Sequence, residues 1–250
     1  MNNGLLTFDQ LPESFKSSVR EKSRADADRE ERQQQFKKRS GLFTASEVHK
    51  LFTAAAKPAQ NATARGYICE KAWERMTGGR VSKGGMFKET SWGEEFEVEA
   101  IEAFMKETGH CVRYYGDKQV FQKASGFPFG ATLDGVIGND EITEVKCPYN
   151  GGIHIQNLRY ASDIEWFIQN RMDYYIQIQG GLWASDRKKG WFISYDPGCS
   201  RERNIEDRVY FEGFDKNLFY TEIPRDETFI DNLKRVVSAA EKELQAIVNE

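Results

Sequence analysis

The chain lacks the features that mark several protein classes. It has four cysteines, and no two of them form a CxxC pair, whereas zinc and iron–sulfur sites normally use closely spaced ligands. No apolar run approaches the roughly 20 residues of a membrane-spanning helix. The first residues also lack the basic and apolar segments of a secretory signal. These absences predict a cytosolic protein whose thiols are free and mostly buried.

Positive charge is not in excess, because the formal net charge is −4 at pH 7. This balance argues against a generally basic nucleic-acid binder, although a local basic groove could still attract phosphate. With 250 residues, of which 39% are hydrophobic, the chain can bury one substantial core. We therefore expect a single domain over residues 1–250, and the composition leaves its function open.

The N-terminal part carries a dense run of mixed charge over residues 13–39, without proline or glycine. Opposite charges four residues apart, as at Arg24, Asp28 and Arg32, support a solvated helix. We therefore predict a charged helical extension over residues 1–38. A solvated arm is favoured over a DNA-binding helix, because few apolar residues interrupt the charges.

The rest of the chain alternates between helical and strand-like patterns. Thr44 or Ser46 can cap a helix that continues to about Ala56. Apolar spacing predicts further helices at 64–76, 92–108, 162–169, 172–184 and 225–250. Short segments rich in β-forming residues predict successive antiparallel strands at 111–121, 130–137 and 141–147, and two later strands at 187–197 and 208–214.

Two of the predicted strands carry the charged residues Asp134, Glu144 and Lys146. Because side chains alternate along a strand, Glu144 and Lys146 share one face while Val145 points into the core. A hairpin through residues 138–141 would bring Asp134 beside them. The pattern predicts two carboxylates and one ammonium around a common point.

This trio suits phosphodiester hydrolysis. Carboxylate oxygens bind hard cations such as Mg²⁺, the Val145 carbonyl could add a ligand, and Lys146 could orient water and stabilise negative charge. The alternative is a surface salt bridge, since D…ExK occurs often by chance. Apolar neighbours, including Leu133 and Ile142, favour the functional interpretation, because unpaired buried charge is costly.

Six motifs in order resemble the lambda exonuclease or YqaJ-like viral recombinase group of PD-(D/E)xK nucleases. They are FTASEVH at 43–49, SWGEEFE at 91–97, TLDGV at 132–136, EVKCP at 144–148, YIQIQ at 175–179 and WFISYDP at 191–197. The resemblance spans about residues 39–197, and its specificity comes from the order of the motifs. One departure is Leu133, which stands where the family commonly has proline.

The resemblance implies an α/β (α+β) fold with a restriction-endonuclease-like core, in which helices flank a central mixed β-sheet. It also implies roles for individual residues. Those of the metal and catalytic centre are Asp134, Glu144, Val145, Lys146, Glu97 and Gln177. Those that contact the DNA 5′-phosphate are Arg39, Ser46 and Thr132, and Lys88 could also contact DNA. Without the resemblance, Ser46 and Thr132 would be an ordinary cap and strand residue, Glu97 a solvated helix residue and Gln177 an amide at the core edge.

The implied activity is a 5′-to-3′ exonuclease that uses two Mg²⁺ ions, or Mn²⁺ in their place. It would digest one strand of linear duplex DNA to mononucleotides and leave a 3′ overhang for a single-strand annealing protein. A homotrimeric ring and a phage or prophage origin in a bacterial cytoplasm are also implied. The alternatives are a structure-specific endonuclease of the same fold, a RecB- or Cas4-like nuclease and a non-catalytic DNA-end-binding protein. Iron–sulfur forms of the RecB or Cas4 type need clustered cysteines near the C-terminus, where only Cys199 lies.

Overall fold

A computed structural model describes residues 38–53, 57–79, 88–202 and 204–250, without the side chains of Lys88 and Thr90. The predicted helical extension over residues 1–38 lies outside the described residues, apart from Lys38. The predicted DNA contact of Lys88 also lies outside the description, although its backbone begins a helix.

The described chain contains six α-helices and eight β-strands. The helices are α1 Ala62–Thr77, α2 Lys88–Thr108, α3 Gly151–Tyr160, α4 Ile164–Asn170, α5 Met172–Ser185 and α6 Glu227–Asn249. The strands are β1 Phe43–Thr44, β2 Val112–Arg113, β3 Phe121–Lys123, β4 Phe129–Thr132, β5 Gly135–Ile137, β6 Glu141–Lys146, β7 Lys189–Tyr195 and β8 Leu218–Pro224. Short 3₁₀ turns cover Val48–Leu51, Gly116–Lys118 and Ile205–Asp207.

The strands form two mixed sheets. The larger has the order β2-β5-β6-β7-β8, and only its β6–β7 pair is parallel. The connection between these two parallel strands contains α3, α4 and α5, since a parallel pair needs a long crossover. The smaller sheet has the order β1-β4-β3. The predicted α/β fold with a mixed sheet is confirmed, and the second sheet is an addition to it.

Helices cover both faces of the larger sheet, which buries its central strand β6. Ile142 belongs to a core that includes residues of α1, α5 and α6, such as Tyr67, Leu182 and Leu233. Val145 belongs to a second core that includes Phe104 of α2. β6 is therefore mostly buried, as expected for the central strand of a sheet covered on both faces.

Several predicted elements differ from the structure. The helix expected from Thr44 to Ala56 is wrong for its described residues, which end at Thr53, because the Thr44 backbone pairs with Gly130 in the small sheet and a short 3₁₀ turn follows. The strand expected at 208–214 is wrong, since it makes one isolated bridge at Tyr210, and the last strand is β8. The strand expected at 130–137 breaks into β4 and β5, which belong to different sheets. Helix α3 was not predicted, because it begins with two glycines, which are poor helix formers.

The four thiols are free, as expected, but only Cys147 and Cys199 are buried, whereas Cys69 and Cys111 are exposed. Among the described helices, none combines the length and apolar character needed to span a membrane.

Candidate active site

The break between β4 and β5 places Asp134 beside the end of β6. Gly135 pairs with Thr143, so the β5–β6 ladder ends before Glu144. The next N–H on that edge, from Val145, donates to Asp134 Oδ2 at 2.8 Å. Gly135 permits this close packing, since a Cβ there would lie 2.5 Å from Val112 Cγ1 and 2.6 Å from Thr143 Oγ1. The turn thus carries Asp134 to β6, as the hairpin pattern predicted.

Glu144 and Lys146 share one face of β6, and Val145 points into the core beside α2. Lys146 Nζ forms an ion pair with Glu144 Oε1 and donates to Gln177 Oε1 at 3.2 Å. It also lies 5.3 Å from the centre of the Tyr174 ring. The structure therefore brings Gln177 of α5 to the predicted trio.

Glu97 reaches the same place from α2. A residue that the sequence analysis missed, Gln119, connects it to the trio: Gln119 Nε2 donates to Glu97 Oε1 at 2.5 Å and lies 3.4 Å from Asp134 Oδ1. Gln119 follows the 3₁₀ turn between β2 and β3. Its role carries no local sequence signal, because Gln119 belongs to none of the six motifs. The strand predicted at 111–121 is also wrong as a continuous element, since the 3₁₀ turn separates β2 from β3.

Burial is the main cause that disfavours the charged forms of the acidic side chains. Burial, followed by the charges of Asp134 and Glu144, raises the pKa of Glu97 to about 8. Burial and the charge of Asp134 raise the pKa of Glu144 to about 8. Burial also raises the pKa of Asp134, although Lys146 and the Val145 N–H oppose this effect. The site therefore holds more negative charge than it can stabilise alone.

Lys146 is the one cation among these side chains. Burial lowers the pKa of Lys146, but Glu144 and Asp134 outweigh burial and raise it above its ordinary value. Lys146 thus remains protonated at neutral pH, and its positive charge offsets part of the negative charge of the acidic side chains.

The donor set fits a hard divalent cation. Within the described residues, no three His, Cys, Asp or Glu side chains form a complete ligand group. Asp134 and Glu144 would supply two carboxylates, and the Val145 carbonyl leaves the strand on the same side as the N–H that bonds Asp134. Mg²⁺ commonly binds one or two carboxylates and keeps several waters. A bound cation would stabilise the ionised carboxylates and so lower these raised pKa values.

These groups line an open cavity of about 450 Å³. Its acidic wall contains Glu97, Asp134 and Glu144 together with Lys146. The remaining wall comes mainly from the loop after β6 and from α5, including Tyr149, Asn150, Tyr174 and Gln177.

A second cavity of about 210 Å³ adjoins the first, because Asp134 and Gln177 line both. It contains the three residues expected to bind a 5′-phosphate, Arg39, Ser46 and Thr132. The Arg39 guanidinium donates to Thr132 Oγ1, the last residue of β4. Ser46 caps no helix; its Oγ lies 3.5 Å from Thr44 Oγ1. Glu47, Lys71, Glu74 and Gln119 also line this cavity and were not predicted.

The segment that carries Arg39 is held by α1. The Gly41 N–H donates to Glu74 Oε2 at 2.9 Å, and Arg75 Nη2 donates to the Gly41 carbonyl at 2.8 Å. Arg75 is itself paired with Glu241 of α6. Gly41 has a φ of +69°, and a Cβ there would lie 2.8 Å from Arg75 Cγ. This clamp fixes the chain two residues after Arg39.

Comparison with known proteins identifies the family. The family model of the YqaJ-like viral recombinase domain matches residues 34–188, more than half of the 250-residue chain. The chain belongs to the YqaJ-like family. This finding confirms the resemblance drawn from the six motifs, and all residues named above as lining the two cavities lie within the YqaJ-like region.

Solved structures share the fold. The chain is 27% identical to LHK-Exo, an alkaline exonuclease from Laribacter hongkongensis, with TM-scores of 0.67 for its complex with dAMP and 0.66 for a second crystal structure. Each match covers 86% of this chain and 93% of that chain. A phage-related exonuclease from Haemophilus somnus 129PT is 20% identical, with a TM-score of 0.64 and coverage of 83% and 95%, and shows the fold alone. No match was found among curated proteins.

Proposed function

We propose that this YqaJ-like protein is a metal-dependent DNA exonuclease that acts in recombination. It digests one strand of linear duplex DNA from a phosphorylated 5′ end and releases mononucleotides. The observation that carries the proposal is the pair of adjoining cavities. One is lined by Asp134, Glu144 and Lys146, the other by Arg39 and Thr132, and they share Asp134 and Gln177. The 27% identity to an alkaline exonuclease supports the same function.

The first cavity would perform the hydrolysis. Asp134, Glu144 and the Val145 carbonyl would hold Mg²⁺, or Mn²⁺ in its place, with two ions per site as the full complement. Bound metal would lower the pKa of the attacking water and neutralise charge on the phosphate. Glu97 would assist this centre through its position beside Asp134.

Lys146 and Gln177 would position the reacting groups. The protonated Lys146 ammonium bonds Glu144 and Gln177, so its remaining N–H group can face water or a phosphate oxygen. Its positive charge would stabilise the negative charge that develops on the phosphate. Gln177, hydrogen-bonded to Lys146, would align the water for attack.

Hydrolysis would regenerate the substrate end. Water adds to the phosphorus of the first internucleotide phosphate, and the bond from phosphorus to the 3′ oxygen of the terminal nucleotide breaks. The terminal nucleotide leaves with a 3′ hydroxyl, and the shortened strand keeps the phosphate at its new 5′ end. Arg39, Ser46 and Thr132 would bind that phosphate, since arginine forms strong charge-assisted bonds to phosphate. Lys88 would contact the DNA nearby.

The family relationship extends the proposal to assembly and setting. A homotrimeric ring around the DNA would keep the enzyme on its substrate, and the 3′ overhang would pass to a single-strand annealing protein. The protein would act in the cytoplasm of a bacterium that carries the phage or prophage.

The test uses linear duplex DNA with a 5′-phosphate and a label at either end of one strand. With Mg²⁺, the 5′ label should appear in mononucleotides before the 3′ label is released. A covalently closed circle of the same sequence should stay intact; cleavage of the circle would indicate a structure-specific endonuclease instead.

The variant that tests the proposed metal site is Asp134→Ala. It should abolish cleavage and retain DNA binding, because it removes a metal ligand and leaves the second cavity's arginine in place. Mg²⁺-dependent cleavage by this variant would contradict the proposed site. Absence of cleavage by the wild-type protein, with DNA binding retained, would indicate a non-catalytic end-binding protein.

A further inference from the structure

A buried lysine on α1 lines the second cavity. Lys71 is 5% exposed, although lysine is rarely so buried without a strong partner. It shares the cavity wall with Arg39 and Thr132. No sequence motif includes it, and the proposed function assigns it no role.

The contacts of Lys71 leave much of its hydrogen-bonding capacity unused. Its Nζ donates to Glu74 Oε2 at 3.0 Å and lies 3.9 Å from Glu47 Oε2, beyond a normal hydrogen bond. It also lies 5.5 Å from the centre of the Tyr67 ring. An ammonium group has three N–H donors. The side-chain contacts described for Lys71 therefore satisfy one donor fully, and two can meet a ligand that enters the cavity.

The two carboxylates nearest Lys71 each have a second partner. Glu74 Oε2 also accepts the Gly41 N–H, and Glu47 is paired with Lys50 at 2.9 Å. The cavity wall thus brings together two cations, Arg39 and Lys71, whose charges can meet a phosphate. A terminal phosphate monoester carries about −1.5 to −2 charge at pH 7, more than the single charge of an internal phosphodiester. A second buried cation in the cavity would therefore favour a terminal phosphate over an internal phosphodiester.

We propose that Lys71 is a second phosphate-binding residue, which works with Arg39 to select phosphorylated 5′ ends. The proposal rests on the proposed exonuclease function and deepens it. Glu74 acts as a positioning residue, because one carboxylate oxygen holds both the Lys71 ammonium and the Gly41 backbone.

The experiment compares Lys71→Met with Lys50→Met. Both lysines lie near Glu47 and the Tyr67 ring, but Lys50 does not line the cavity. The readout is the ratio of kcat/KM for 5′-phosphate ends to that for 5′-hydroxyl ends, measured in wild type and each variant. Lys71→Met should lower this ratio about tenfold or more, as expected for a lost charged hydrogen bond, and Lys50→Met should leave it unchanged.

Two further variants make the result decisive. Lys71→Arg should restore most of the ratio, because it returns a cation that can bind phosphate. If the role of Lys71 were purely structural, the ratio would stay unchanged in every variant. If Lys71→Met does not fold, Lys71→Gln is compared with wild type for competitive inhibition by inorganic phosphate, which should weaken at least several-fold.

The outcomes separate the two proposals. An unchanged ratio in Lys71→Met, with a lowered ratio in Arg39→Ala, overturns the role of Lys71 alone. An unchanged ratio in Arg39→Ala as well overturns the phosphate pocket itself. In the fallback comparison, equal phosphate inhibition of wild type and Lys71→Gln also overturns the role of Lys71.

Discussion

Asp134 accepts a hydrogen bond of 2.8 Å from the backbone N–H of Val145. This bond joins the break between the two sheets to the central strand of the larger one. It fixes one oxygen of Asp134, so the other faces Gln119 and the cavity. The acidic centre is therefore held by the backbone of β6 as well as by side chains.

The raised carboxyl pKa values predict how metal binding depends on pH. Glu97 and Glu144 each have a pKa of about 8, and protons must leave before a cation can bind. The apparent affinity for Mg²⁺ should therefore rise steeply between pH 6 and about 8 and then level off. Calorimetric titration of Mg²⁺ into the DNA-free protein across this pH range measures the affinity. An affinity that does not change with pH would contradict the raised pKa values of these buried carboxyl groups.

Neutralising Glu97 should stabilise the metal-free protein at high pH. Its pKa is raised from 4.5 to about 8, so the folded state binds more protons than the unfolded state in that window. Stability should fall as pH rises from 4.5 to 8. In chelator at pH 9, Glu97→Gln should raise Tm by about 3 °C or more. At pH 4, both forms are protonated and the gain should vanish.

The control for this effect is Glu102→Gln on the same helix. Glu102 is exposed, so its substitution should leave Tm almost unchanged at both pH values. An equal rise in both variants would point to the general acidity of α2 rather than to the buried cluster.

Gln119 should matter for catalysis although no motif contains it. Gln119→Leu removes the amide that bonds Glu97 at 2.5 Å and approaches Asp134. The variant should lower kcat by about tenfold, because the lost hydrogen bond helps to position these carboxylates. Mg²⁺ affinity should fall with it. Gln122→Leu is a suitable control, since Gln122 lies on the small sheet outside both cavities.

Gly41 should control the position of Arg39. Gly41→Ala introduces a left-handed backbone cost of about 1–2 kcal/mol and a contact of 2.8 Å with Arg75 Cγ. It should lower stability and the preference for 5′-phosphate ends together. Gly78→Ala has a similar φ of +66° and meets nothing within 4 Å. Denaturant unfolding and end preference should show a stability loss in both variants and a changed preference only in Gly41→Ala.

The sequence predicted the trio because its signal is local. Glu144, Val145 and Lys146 follow the alternation of a single strand, and the position of Asp134 follows from the next hairpin along the chain. The same logic failed at 130–137, since an alternating pattern does not reveal that its two halves join different sheets. Leu133 packs in the core and Asp134 lies outside the backbone ladders of both sheets. These two residues mark the break only once the fold is known.

The residues that sequence patterns missed act across long separations. Gln119 reaches Glu97 and Asp134 from a 3₁₀ turn, and Lys71 reaches the second cavity from a helix whose pattern explains only its apolar side. A lone amide or lysine carries no periodic signal, because its partners are set by tertiary packing. The strand Leu218–Pro224 was also missed, although it is rich in β-forming residues, because a similar run around Tyr210 gave the prediction of the last strand instead.

The two-residue link between Thr132 and Asp134 joins the second cavity to the first. Thr132 ends the small sheet beside the Arg39 guanidinium, and Asp134 bonds the central strand of the larger sheet. Two residues of extended chain span at most about 7 Å. In the proposed function, the separation between the end-binding pocket and the cutting centre is therefore set by covalent bonds. Substitutions that shift the surrounding core should therefore lower the rate of cleavage, while the product remains a mononucleotide.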